Sequence, residues 1–147
     1  GLGQLERIGE LVGNKREIFE RYRSKLAKQP GLSLNAEPTG VRNSHWMTTA
    51  VWDEDFAVDK HTMVDSLRAR GIDSRPFFHP LSSLPAFAGH PQALTAQERN
   101  QTAYRISARG INLPSALLLT NAEIDRAATA FLRSLTRRQV PSLRVSA

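Results

Sequence analysis

The sequence predicts an α/β chain: an α+β small domain in which a small mixed sheet is covered by helices on one face. Three observations carry that prediction. Apolar residues recur at helical spacing in an opening and a closing segment. Short aromatic and β-branched runs stand between them, and glycine or proline marks nearly every junction. The order reads helix, strand, strand, helix, strand, helix, strand, helix, which suits two packed layers.

Leu5, Ile8, Leu11, Val12, Ile18, Phe19, Tyr22 and Leu26 repeat at helical spacing with charges on the other side. Residues 1–30 are therefore expected to form one long helix, stopped by Pro30-Gly31. Its length, about 25 residues, exceeds the usual 11–12 or so, which suits a bridge between two domains or a bend near Gly13-Asn14. Leu32-Ser33-Leu34 reads as a short strand, and Asn35 to Asn43, with Pro38 and Gly40, as turns. His45 to Trp52 is aromatic and β-branched and is closed by Asp53-Glu54-Asp55, so a strand is expected there.

Asp59 fits the N-cap of a helix carrying Met63, Val64 and Leu67 on one face, with Gly71 just beyond its end. Ile72 to Phe78 reads as another strand, halted by Pro80. Leu81 to Pro91 is too proline-rich for regular structure. A helix is expected from Thr95 to about Ile106, and a short strand from Gly110 to Pro114. Thr120-Asn121-Ala122-Glu123 spells a capping box before the stripe Ile124, Ala127, Ala128, Phe131, Leu132 and Leu135. Residues 31–138 then make the small domain, and 139–147 a frayed tail.

The 147 residues suffice for one core but not two full domains. With 40% hydrophobic and 23% charged residues the profile is that of a soluble globular protein. No apolar run approaches the roughly 18 residues of a membrane span. The start has neither the basic nor the apolar region of a signal peptide, so a cytoplasmic protein is expected. It begins inside a helix without Met, which suggests a fragment. The absence of cysteine excludes disulfides, thiolate metal sites and a Cys nucleophile. The net charge of +6 comes from cations alternating with acids, as in Lys15-Arg16-Glu17. That is a solvated helix face, and only Arg137-Arg138 forms a basic doublet outside that pattern, so no nucleic-acid partner is expected.

Few residues carry chemistry. His45, His61, His79 and His90 never fall three or four residues apart, so no zinc set is expected. His61 reads as solvated, and His45 fits a structural role at least as well as a functional one. His79 stands in Phe77-Phe78-His79-Pro80, where a strand runs into a long loop, a place that often faces a ligand. An ordinary hydrogen-bonded loop histidine fits the same position. Arg75 suits a phosphate or carboxylate clamp, or a surface ion pair. Trp46 and Trp52 at even spacing read as core. No G-x-S-x-G, G-x-G-x-x-G or Walker A sequence occurs.

Several segments resemble one family. Gly1-Leu2-Gly3-Gln4-Leu5-Glu6-Arg7-Ile8 is similar to the G-L-A-Q-L-E-R-I stretch of DegT/DnrJ/StrS-type sugar aminotransferases. Gly71 to Ser82 resembles their G-I-D-T-R-P-F-F-Y-P-L-S segment. Arg109 to Ser115 resembles R-G-I-N-L-P-S, with Leu119-Thr120 in the place of the family's leucine-threonine helix start. Asn43 to Met47 resembles N-S-Y-W-M, and the matches run in family order over residues 1–135. The R-P-F-F form is nearest to the GDP-perosamine synthase-like branch.

The resemblance implies the C-terminal domain of a fold type I aminotransferase. Such enzymes work as homodimers and move an amino group from glutamate, through PLP, onto a nucleotide-linked keto sugar. It implies that the catalytic lysine and the other PLP contacts lie upstream, so that no catalytic or cofactor-binding residue is expected here. Lys15, Lys25, Lys28 and Lys60 all read as solvated, and a chain inactive by itself is expected. The implied substrate-binding residues are Arg75, Phe77, Phe78 and His79, with the same loop able instead to pack one domain on another. His79 departs from the family's tyrosine. A non-catalytic remnant acting as a protein-interaction module is the alternative.

Overall fold

The computed structural model describes residues 1–136; the expected tail (139–147) and the Arg137-Arg138 doublet lie outside them. The chain runs α1 (Leu2–Leu5), α2 (Ile8–Leu26), β1 (Leu32–Leu34), β2 (Thr48–Trp52), α3 (Lys60–Arg68) and β3 (Arg75–Pro76). Two 3-10 turns, Leu81–Ser83 and Pro85–Phe87, follow. Then come α4 (Pro91–Leu94), α5 (Ala96–Arg99), α6 (Gln101–Ala108), β4 (Gly110–Leu113) and α7 (Asn121–Ser134).

The sheet order is β1-β2-β4-β3, and each neighbouring pair is antiparallel. A mixed sheet was expected, and the topology explains the difference. β2 and β3 run in the same direction across α3, but β4 inserts between them, so their shared direction makes no parallel ladder.

β2 buries Thr48, Ala50 and Trp52 and leaves Thr49 and Val51 half-buried, the alternation of a strand with one covered face. Ala50 and Trp52, with Ile111 and Leu113 of β4, meet Tyr22 and Leu26 of α2, Met63 and Leu67 of α3 and Phe131 of α7 in one core. The two large aromatics of the core find partners for their polar ends: Trp52 Nε1 donates to Val58 O at 2.9 Å, and Tyr22 OH to Pro114 O at 3.0 Å. Arg21 grips Asp125 with two bonds of 2.7 and 2.6 Å, tying α2 to α7.

The caps form as their residues predict. Asp59 accepts the His61 and Thr62 N–H groups, and Thr120 with Glu123 makes the reciprocal capping box. Gly71 sits at φ +68°, the left-handed turn that glycine permits. Around it Gly71 N–H donates to Arg68 O and Ile72 N–H to Leu67 O, which turns Ile72 into the core.

Other expectations need correction. The opening helix breaks at Glu6-Arg7 rather than near Gly13-Asn14. Leu2 and Leu5 are exposed, so burial does little to hold α1 in line, whereas the turn after Gly13 is anchored by Lys15 to Ser115 O and Arg16 to Asn43 O. The strand expected from His45 begins at Thr48. His45 adopts φ +50° and buries its ring against Phe19 at 3.7 Å, with Nε2 at 3.2 Å from Glu37. That kink takes Trp46 out of the pleat, so it is exposed while Trp52 is core. The strand expected over 72–78 pairs only at Arg75–Pro76, because Ile72 completes a helix cap and Pro76 has no N–H to give. The helix expected from Thr95 is divided by Asn100, which leaves helical geometry at φ −112°, ψ 40°. It is also preceded by α4, whose Pro91 follows a His90 side-chain cap.

Candidate functional site

Arg75 to His79 leave the sheet along its β3 edge. Arg75 stands opposite Asn112 and Pro76 opposite Ile111. Phe77 N–H then donates to Gly110 O at 2.9 Å. Gly110 is needed for this approach: a Cβ on it would lie 2.9 Å from both Phe77 Cβ and Ile106 O. Phe77 is half-buried, with Phe78 tilted beside it at a ring separation of 5.7 Å. Phe78 and His79 are exposed. Arg75 is exposed as well, and the Asp73 carboxylate lies 4.0 Å from its guanidinium.

The four residues singled out in the sequence thus lie along one segment but do not line one cavity. Arg75 borders an open groove of about 610 Å3 that also takes in Lys15, Trp46, Asn112, Ser115 and Arg126; Phe77, Phe78 and His79 are not among its lining residues. Arg126 donates to the Arg70 and Gly71 carbonyls at 3.1 and 3.4 Å. Asn112 is buried and accepts from Thr49 Oγ1 at 2.8 Å. Lys15, Arg75 and Arg126 line the groove together with Asp73 and Glu123, three cations to two carboxylates, an excess that suits an anionic group. Glu123 is itself engaged by Thr120, whose N–H and hydroxyl hold its carboxyl below the usual range.

Sequence reasoning misplaced two lysines, the half-buried Lys15 and above all Lys60. Lys60 reads as a solvated lysine at a helix start, yet only 5% of it is exposed. Its Nζ donates to Ser107 Oγ at 3.1 Å and to Phe77 O at 3.4 Å. Burial pushes its ammonium below the ordinary lysine range, and Lys15 shifts the same way for the same reason. Lys25 pairs with Asp125 at 3.2 Å, and Lys28 is exposed, as the polar-face reading has it. The partners of Lys60 lie 17 and 47 residues away, so no local spacing could have signalled its burial.

The remaining candidates serve the scaffold. His45 braces α2 through Phe19 and Glu37, and His90 caps α4 by accepting Gln92 N–H at 3.2 Å. Among the described residues no three His, Cys, Asp or Glu side chains converge as metal ligands, and no helix is long and apolar enough to cross a membrane.

The chain is similar over 78% of its length to GDP-perosamine synthase of Vibrio cholerae, with 38% identity over 115 residues that make up 30% of that enzyme. The structure of DesI, determined in the presence of its TDP-sugar product, superposes with a TM-score of 0.75 at 23% identity, over 91% of this chain and 34% of that one. The Escherichia coli GDP-4-keto-6-deoxy-D-mannose-3-dehydratase with bound hydrated PLP gives a TM-score of 0.67 at 18% identity, over 89% and 33%. The fold is thus that of fold type I sugar aminotransferases. The chain spans about a third of the length of the curated relatives it matches. A family model for the DegT/DnrJ/EryC1/StrS aminotransferases matches residues 1–132, and the chain belongs to that family.

Proposed function

We propose that this chain is the C-terminal part of a PLP-dependent aminotransferase that moves an amino group from glutamate to a nucleotide-linked keto sugar, as a cytoplasmic homodimer. On this reading the product feeds polysaccharide synthesis, and the GDP-perosamine synthase relatives make a GDP-linked sugar the first substrate to try. Arg75, Phe77, Phe78 and His79 form one wall of the substrate site. The observation that carries this role is the edge segment itself, where Arg75, Phe78 and His79 project while Phe77 is clamped to Gly110. A guanidinium there suits a diphosphate, and an exposed phenylalanine suits the face of a sugar or base.

The described lysines do not fit a PLP anchor. Lys25 is ion-paired, Lys15 is bonded to the Ser115 carbonyl, Lys28 lies in water, and Lys60 is sealed between Ser107 and Phe77. Only Lys15 among them borders the groove beside Arg75, and its ammonium is committed to the Ser115 carbonyl rather than free to hold the cofactor. The chain alone is accordingly inactive, and PLP added to it is expected to give no aldimine band at roughly 400–420 nm. A borohydride-fixed adduct at one stoichiometric lysine would overturn that. The substrate side is tested by titrating the chain with GDP-mannose under calorimetry. Saturable heat that weakens in Arg75→Ala and Phe78→Ala supports the reading, and equal heats in all three proteins sink it.

One observation favours the second reading, an interaction module. Leu2, Leu5 and Ile8 project from α1 and the start of α2 with 74, 65 and 52% exposure, an apolar stripe suited to another polypeptide surface. Sedimentation at rising concentration tests it: a monomer throughout removes self-association from that reading.

A further inference from the structure

The Arg75–His79 segment is held by a residue outside it. Lys60 opens α3, but its side chain is buried and its Nζ reaches both the Phe77 carbonyl and Ser107 Oγ. Among the described residues it has no carboxylate within ion-pair distance. An ammonium is costly to bury without a counter-charge, so an apolar side chain of similar length would be the simpler filler at this place. Two features offset that cost. Ser107 lies in the last turn of α6, where unpaired carbonyls give the helix end a partial negative charge. The Phe77 carbonyl supplies a second oxygen at 3.4 Å.

Phe77 is consequently fixed on three sides. Its N–H is bonded to Gly110 O, its Cβ lies against the missing side chain of Gly110, and its carbonyl accepts from Lys60. The peptide that begins at this carbonyl leads into Phe78 and His79, both exposed. Rotating it re-aims both side chains. The first two restraints do not fix that rotation, because they act before the carbonyl.

We propose that Lys60 is a positioning residue that sets the conformation of Phe77–His79, and through it the ligand-facing direction of Phe78 and His79. The ligand-facing part rests on the reading of this segment as a wall of the substrate site. Lys60 lies beneath the segment and touches no ligand. If it only filled space, methionine would replace it silently. If it positions the carbonyl, methionine fails and arginine, another buried donor, restores the arrangement.

The test uses the full chain, 15N-labelled, as wild type, Lys60→Met and Lys60→Arg, with Ser107→Ala as the control that keeps the Lys60–Phe77 bond. Lys60→Gln, too short to reach the carbonyl, stands in should Lys60→Met fail to fold. Without ligand, Lys60→Met is expected to shift the Phe77–His79 amides and lower their heteronuclear NOE, while the α7 amides stay in place. Lys60→Arg and Ser107→Ala are expected to remain close to wild type. With GDP-mannose as probe, Lys60→Met is expected to bind about tenfold more weakly and Lys60→Arg within about threefold of wild type. Unchanged Phe77–His79 amides in Lys60→Met overturn the proposal. Displaced amides with undiminished GDP-mannose affinity overturn its ligand-facing part. Displaced amides in a chain whose wild type binds no GDP-mannose uphold the tether and count against the substrate-wall reading instead.

Discussion

The helical face of the sheet and the excursion from Phe77 to Arg109 are built by opposite rules. On the helical face Tyr22, Leu26, Met63, Leu67, Ile111 and Phe131 are fully buried and belong to one core drawn from α2, α3, α7 and the sheet. The excursion has three helices of four to eight residues and two 3-10 turns, of which only Ala96 and Ser107 are buried. It leaves Phe78, Leu81, Phe87 and Leu94 exposed. The first region stores the stability, and the second projects residues from it. A segment without its own core can keep a defined direction only where the core reaches out to hold it, which is what Gly110 and Lys60 do.

The sharpest way to break the contrast is to truncate one phenylalanine in each region. Phe131→Ala empties a site with no exposure, beside Trp52 at a ring distance of 5.9 Å, and is expected to cost about 3–5 kcal/mol. Urea unfolding measures it. For a domain of this size that is a large share of the total, so Phe131→Ala is expected to be largely unfolded at 37 °C. A cost under about 1 kcal/mol would mean that α7 is not part of a cooperative core.

The boundary between the regions gives the next largest effect. Gly110→Ala places a methyl 2.9 Å from Phe77 Cβ and from the Ile106 carbonyl, two atoms of the scaffold rather than the tips of flexible side chains. Overpacking of this kind costs about 1–3 kcal/mol. The displacement should appear as amide shifts at Phe77 and Ile106 while the α2–α7 contact is unchanged. Shifts spread evenly over the whole chain would show that the excursion is not separable from the core.

Much of the first region was legible in the sequence, and little of the second. Helix α7 announces itself by its capping box and stripe, α3 by Asp59 and Gly71, and β4 by the Gly110 and Pro114 that bound it, because each signal is local. The errors gather where a distant partner decides. Trp46 keeps strand-like spacing to Trp52, but His45 turns away to stack on Phe19, 26 positions earlier in the chain. Thr95–Ile106 has helical composition, yet without a continuous apolar face to pack it breaks at Asn100. Lys60 looks like any helix-start lysine until Ser107 and Phe77 are brought over it. The candidate site was legible as a run of residues, Arg75 to His79, but not as a shape, since the groove beside Arg75 draws on α2 and α7.

Acid titration tests the core side of the contrast at its rim. Two arginine bonds and a lysine hold the Asp125 carboxyl down to about 2. A carboxyl depressed in the folded state stabilises above its unfolded value, roughly 3.9, and loses that contribution as pH falls toward the folded one. Asp125→Asn is therefore expected to melt below wild type at pH 6, with the gap narrowing below about pH 4 and closing near pH 2. A gap that does not depend on pH would mean that asparagine loses packing rather than charge.

The smallest expected effect is on the stability of Phe78→Ala, and its smallness is the point. Phe78 is 57% exposed and touches Phe77 at a tilted 5.7 Å, so its removal uncovers little that water did not already reach. The change in unfolding free energy should stay within about 0.5 kcal/mol, against the several expected for Phe131→Ala. A change that small would leave the ligand contact proposed for Phe78 as the role to measure, since the fold does not depend on its ring. If Phe78→Ala instead destabilises as a core residue would, the excursion packs more tightly in solution than its exposure implies. Phe78 would then belong with Phe131 rather than with a ligand.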